Sequence, residues 1–135
     1  MLGEQLGEGS SKITTTRVLQ SDGPTPKLEI SLRHSGKLLG MDTNVFGTYT
    51  QTLRSGGVLY GEGQTVAITS SGEMATWTGF GIGRPTGPVA AATFSVCGSF
   101  QTASEKLARL NTVATVIEQH IDEHGNGTWK MWEWK

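Results

Sequence analysis

The stretch KLEISLRH, residues 27–34, alternates without a break: Leu28, Ile30 and Leu32 stand against Lys27, Glu29, Ser31 and Arg33. A period of two places every second side chain on one face of an extended chain, so the segment reads as a strand with one apolar face and one wet face. His34 continues the apolar set and is expected to point inward at the end of that strand. On the N-terminal side, across the loop SDGPTP (21–26), lies the Thr- and Val-rich segment SKITTTRVLQ (11–20). On the C-terminal side, GMDTN (40–44) turns the chain into VFGTYTQTLR (45–54). The pattern repeats in VLYGEGQTVAITS (58–70), EMATWTGFGIG (73–83) and VAAATFSVCGSFQ (89–101), separated by SGG, SSG and RPTGP. Turn residues at such short spacing are the mark of an all-β sandwich or barrel.

The last quarter supports two readings. Thr102 with Glu105 has the spacing of a capping box, and Leu107, Leu110, Ala114, Ile117 and Ile121 fall at helical intervals. A helix could therefore run to Asp122. Against it, TVATVI (112–117) is nearly all β-branched, which suits a pleated strand. The favoured arrangement is a short helical connector at 103–110 and then a terminal hairpin through EHGNG (123–127) into TWKMWEWK (128–135). The sum is an all-β, antiparallel up-and-down barrel of about eight strands, enough to close on itself. The whole chain, 1–135, reads as one domain, with residues 1–9 loosely ordered.

Bulk properties narrow the function classes. A net charge of -1 supplies no basic field for a phosphate backbone, so nucleic acid is not an expected partner. A single cysteine, Cys97, allows no internal disulfide and fits a cytoplasmic location. MLGEQLGEGS has no apolar signal core, and no apolar run reaches membrane-helix length, so no membrane association is expected. The glycine clusters GEG (61–63) and GFGIG (79–83) lack the strand–turn–helix context of a phosphate loop. They read instead as places where strands coil tightly or a Trp packs over bare backbone.

Several segments, GTYTQTL, LYGEGQ, GEMATWTGFGIG, QTASEKLARLN and the terminal WEWK, resemble a group of small bacterial and archaeal proteins of unknown function. Those proteins are similar in character to the allene oxide cyclase-like barrels. The resemblance spans Gly7 to Lys135 and implies an eight-stranded barrel of calycin-like shape. It implies little about activity: the plant cyclases hold an apolar fatty-acid epoxide in their barrel, and none of their catalytic residues is placed on this sequence. The Gly-x-Trp hallmark of lipocalins is absent from the first strand.

Candidate ligand-binding residues in the barrel interior are His34, Tyr49, Tyr60, Glu62, Gln64, Trp77 and Arg84. Alternation in 58–70 puts Tyr60, Glu62 and Gln64 on one face: if it is interior they form the polar end of an apolar pocket, and if it is exterior the Gly61 and Gly63 face lies under an aromatic. A buried Glu62 would have a raised pKa suited to a general acid. His34 at a barrel mouth would be a base. Arg84 would meet a ligand carboxylate. Glu118, His120 and Asp122 share a face of the terminal hairpin that reads as solvated, while Val113, Thr115, Ile117 and Ile121 turn inward. No CxxC or HExxH spacing occurs, and neither a metal nor an organic cofactor is expected. On the last strand Trp129 and Met131 share one face and Trp132 and Trp134 the other, so one pair fills the barrel and the other covers its outside. Three functions follow in order: a barrel that binds a small apolar or amphipathic molecule; a cofactor-independent isomerase, cyclase or lyase using Tyr60 and Glu62, or His34; and a homo-oligomerising structural protein.

Overall fold

In the computed structural model, which describes residues 1–135, KLEISLRH lies in the strand β2 (Lys27–Leu38), with Ile30 and Leu32 buried and Arg33 exposed. The other strands are β1 (Leu2–Leu19), β3 (Met41–Arg54), β4 (Val58–Thr69), β5 (Met74–Pro85), β6 (Ala92–Gln101), β7 (Ala114–Ile121) and β8 (Asn126–Trp134). Each pairs antiparallel with the next, and β8 returns to pair with β1. The eight-stranded up-and-down barrel is therefore closed, which leaves no edge to recruit another chain's backbone.

The β2–β3 hairpin shows how local chemistry and tertiary contact share the work. Its two turn residues, Leu39 and Gly40, both have positive φ (50° and 79°), the requirement of the turn that matches strand twist. Leu39 bears a cost of about 1 kcal/mol for that conformation. Its N–H donates to the Leu6 carbonyl at 2.8 Å, and its side chain packs on the core. The turn is thus shorter than the 40–44 segment, and β3 begins at Met41.

β1 begins at Leu2, so residues 2–9 belong to a barrel strand. Gly7 pairs with Leu38 and Met131, and Gly9 with Gly36 and Trp129. Alternation is hidden there because inward positions carry no side chain. A Cβ on Gly9 would lie 1.9 Å from the Ser35 carbonyl oxygen and 2.8 Å from the Gly36 Cα. Only bare backbone allows these strands to approach so closely.

Between β6 and β7 the chain folds over one end of the barrel. The short helical connector expected near 103–110 is present as a set of turns ending in a 3-10 segment, Ala108–Thr112. The capping box does not form. The Thr102 hydroxyl donates to the Met74 carbonyl and accepts from the Ser104 N–H. Asn111 clasps the backbone of Thr102 instead, accepting from its N–H at 2.8 Å and donating to its carbonyl at 3.0 Å. Leu107 and Leu110 are driven into the barrel end, both at 0% exposure, in a cluster with Leu6, Leu38 and Phe100. Arg109 pairs with Glu4 and Glu133 from the outside. The β-branched run that follows is strand β7, which settles the ambiguity over 112–122.

Trp77 crosses above this plug. Its indole lies over Gly79 and Gly98, where an added Cβ would come within 2.4 and 2.3 Å of the ring. Its Nε1 donates to Thr115 Oγ1 at 3.0 Å, and that hydroxyl donates to the Gly98 carbonyl at 2.8 Å. Thr115→Val keeps the shape and strands the buried indole N–H, so it should cost about 1–3 kcal/mol in denaturant unfolding. A loss below about 0.5 kcal/mol would mean the N–H finds another acceptor.

Candidate functional site in the barrel interior

Inward side chains from strands that are not neighbours meet across the barrel. Tyr49 of β3 and Phe94 of β6 stand edge to face, with ring centroids 6.2 Å apart. His34 of β2 and Trp129 of β8 are tilted against each other at 5.6 Å. These side chains do not fill the interior. A cavity of about 100 Å³ remains, walled by Leu32, Val45, Phe94, Val96, Ile117 and Met131. The plug side is sealed by the buried cluster around Leu107, whereas Tyr49, Val96 and Ile117 are only half-buried.

One part of the wall is polar. Gln119 Nε2 donates to Ser11 Oγ at 3.3 Å, and Ser11 Oγ lies 2.7 Å from His34 Nδ1. Ser11 and Gln119 are buried, at 5% and 8% exposure. Barrel closure makes this contact, since β8 and β1 must pair before β7 and β2 can reach each other. Burial pushes the His34 imidazole down to about 4, so the ring is neutral near pH 7. Burial also pushes the Tyr49 phenol up, so it keeps its proton. Beside Gln119 across the strands, Trp129 carries a buried Nε1 with no hydrogen-bond partner. An orphaned buried donor costs about 1–3 kcal/mol.

Of the residues singled out from sequence, His34, Tyr49 and Trp77 line the cavity. Tyr60, Glu62 and Gln64 do not place their side chains there. Glu62 and Gln64 border it through backbone, and their side chains are exposed on the outer face. Tyr60 stacks with Phe80, lies under the Arg54 guanidinium and donates to the Glu62 carboxylate, all outside. Two of the inward positions of β4 are Gly61 and Gly63, and a Cβ on either would meet Tyr49. The wall there is backbone because Tyr49 already occupies the space. Tyr60 and Glu62 therefore stand on the opposite side of the sheet from His34, and no acid–base set of these three converges. Arg84 is exposed and stays outside the cavity lining.

The remaining outer positions match their alternation. His120 bonds to Glu118 on the exterior, while Asp122 accepts the N–H groups of His124 and Asn126 in the turn, so the three do not gather as ligands. Trp129 and Met131 are buried inside and Trp134 is exposed outside. Cys97 is exposed and pairs across the strands with Phe80. Ser11 and Gln119 were not singled out from sequence. The signal was present: Gln119 follows Thr115 and Ile117 at the same period of two.

A neutral imidazole, a phenol and an amide lining an apolar cavity, the first and last bridged by the buried Ser11 hydroxyl, can orient a small molecule by hydrogen bonds and exclude charged ones. The fold and this lining define a hollow antiparallel eight-stranded barrel with an uncharged interior. No family model matches the chain, and no curated protein matches it. Solved structures do share the fold. A conserved protein of unknown function from Rhodopseudomonas palustris is similar at TM-score 0.80 and 16% identity, covering 98% of this chain and 97% of that one. A beta-barrel like protein from Acinetobacter baumannii is similar at TM-score 0.80 and 14% identity, covering 98% and 94%. A protein with unknown function from Clostridium acetobutylicum is similar at TM-score 0.78 and 16% identity, covering 98% of each chain. At such identities the likeness is one of fold, and it agrees with the uncharacterised bacterial barrels that the sequence resembles.

Proposed function

We propose that the protein binds a small, apolar or amphipathic molecule inside its barrel. The observation that carries this is the cavity of about 100 Å³, with apolar walls and the Ser11–His34–Gln119 cluster at one side. Binding sites combine these two features, apolar area for affinity and a few fixed polar groups for orientation. The volume is of the same order as the roughly 150 Å³ apolar cavity that takes up benzene. The occupant is then about one ring in size, and a long acyl chain does not fit. The resemblance to calycin-like barrels of the allene oxide cyclase kind supports a hollow interior as the working part.

Titration with benzene, followed in ¹H–¹⁵N spectra, tests the proposal. Shifts should concentrate at Val96, Ile117, Gln119 and Trp129. Val96→Phe, which fills the cavity from its own wall, should weaken benzene binding at least about tenfold, equivalent to about 1.4 kcal/mol. Shifts confined to outer residues such as Phe46 and Phe80, or unchanged affinity in Val96→Phe, would contradict it.

A further inference from the structure

The cluster at the cavity wall has a hydrogen-bonding logic that narrows the ligand's chemistry. A serine hydroxyl has one proton to give. Gln119 Nε2 donates to Ser11 Oγ, so the Ser11 proton is free to go to His34 Nδ1. That assignment puts the imidazole proton on Nε2, leaving His34 Nε2–H as a donor and Gln119 Oε1 as an acceptor. The chain can also run the other way, with the amide turned over. His34 Nδ1–H then donates to Ser11, Ser11 donates to Gln119, and the free atoms become an acceptor on His34 and a donor on Gln119. If both neighbours donated to Ser11, its buried proton would have no acceptor, which the energetics of buried polar groups disfavour. In either satisfied arrangement the two ends of the relay offer one donor and one acceptor, with one amide N–H of Gln119 to spare.

Both ends belong to side chains that line the cavity, and neither His34 Nε2 nor Gln119 Oε1 has a protein partner. Trp129 packs on His34 and pairs with Gln119 across the strands, and its buried Nε1–H has no partner. No charged side-chain group faces the cavity: Glu62 is the only ionic residue bordering it besides His34, and its side chain is exposed outside.

We infer that the ligand is an uncharged, single-ring-sized molecule bearing an amide-like group, one hydrogen-bond donor beside one acceptor, read by His34 and Gln119 through their shared Ser11. This rests on the ligand-binding function proposed above. The relay lets the site match the group in either orientation, because reversing the Ser11 and imidazole protons together with a turn of the Gln119 amide exchanges donor and acceptor. A ligand with only acceptors, or with a carboxylate, leaves one end unpaired or a charge buried without a partner.

Two probes of equal ring size separate this inference from the reading beneath it. Benzene is apolar, and 2-pyridone carries an adjacent N–H and C=O. Their affinities are measured by NMR titration of the intact protein. Wild-type protein should bind 2-pyridone about tenfold or more tightly than benzene, as two neutral hydrogen bonds of about 0.5–1.5 kcal/mol each allow. Ser11→Ala breaks the relay and should bring the two affinities to within about threefold of each other. Gln119→Met serves the same purpose should Ser11→Ala fail to fold. Equal affinities in the wild type, a preference that survives both substitutions, or benzoate bound as tightly as 2-pyridone would overturn the inference and leave ligand binding standing. Failure of every probe to reach the interior would overturn both.

Discussion

Leu107→Ala should destabilise the protein by about 3–5 kcal/mol, the upper range for a leucine removed from a site that cannot collapse. The reason is geometric. Leu107 and Leu110 hang from a 3-10 connector clasped by Asn111, and both are fully buried among side chains from opposite sides of the barrel. Those side chains are anchored by a closed ladder and cannot move inward to fill the space. Against a typical total stability of about 5–15 kcal/mol, one such loss is a large fraction. Urea unfolding followed by tryptophan fluorescence reads it directly. Leu107→Met, which keeps volume, should cost less than about 1.5 kcal/mol. An alanine variant within about 1 kcal/mol of wild type would mean that the plug is dispensable.

The second large effect is a loss of stability on mild acidification. Burial holds the folded His34 imidazole at about 4, against 6.5 for the free side chain. Between these values the unfolded chain takes up a proton that the folded chain refuses, so stability is full above about pH 6.5 and falls as pH drops toward 4. The shift corresponds to about 3 kcal/mol over that window. His34→Gln, whose amide still bonds Ser11, should flatten the profile between pH 6.5 and 4. Glu73 acts in a separate window. Hydrogen bonds from the Ser71 and Thr69 hydroxyls, with further help from its backbone and Lys106, hold its carboxylate at about 2 against 4.5. Its contribution is present above pH 4.5 and is lost below it, so Glu73→Gln leaves the upper slope intact. Urea midpoints at pH 7, 5.5 and 4 distinguish the two. A wild-type profile flat from pH 7 to 4 would contradict the account of His34.

The barrel was legible wherever inward positions carry apolar side chains, as in β2, where Ile30, Leu32 and His34 lie as alternation requires. It was illegible where inward positions are glycine. The first residues of β1 show no period because Gly7 and Gly9 make room for Trp129 and for the backbone of β2. In β4 the same cause leaves the inward face undecided by sequence. Tyr60, Val66 and Ile68 form the more apolar face and lie outside, while Gly61 and Gly63 face in beneath Tyr49. Alternation identifies two faces, and it identifies the buried one only if the core is filled by that strand's own side chains. Here large side chains from β3, β5 and β6 fill the volume and bare backbone from their neighbours receives them. The candidate site was half legible for a different reason. His34 followed from its own strand, but its partnership with Gln119, 85 positions later, exists only because β8 closes on β1.

The central claim is that the interior is a cavity that takes a small neutral molecule at its polar wall. A crystal structure of the protein soaked with 2-pyridone tests it most directly. The account predicts a planar ring inside the barrel, against Phe94, Val96 and Ile117, with its amide edge within hydrogen-bond distance of His34 Nε2 and Gln119. An interior closed by side chains, or a ring bound only on the outer face near Phe46 and Phe80, would contradict it.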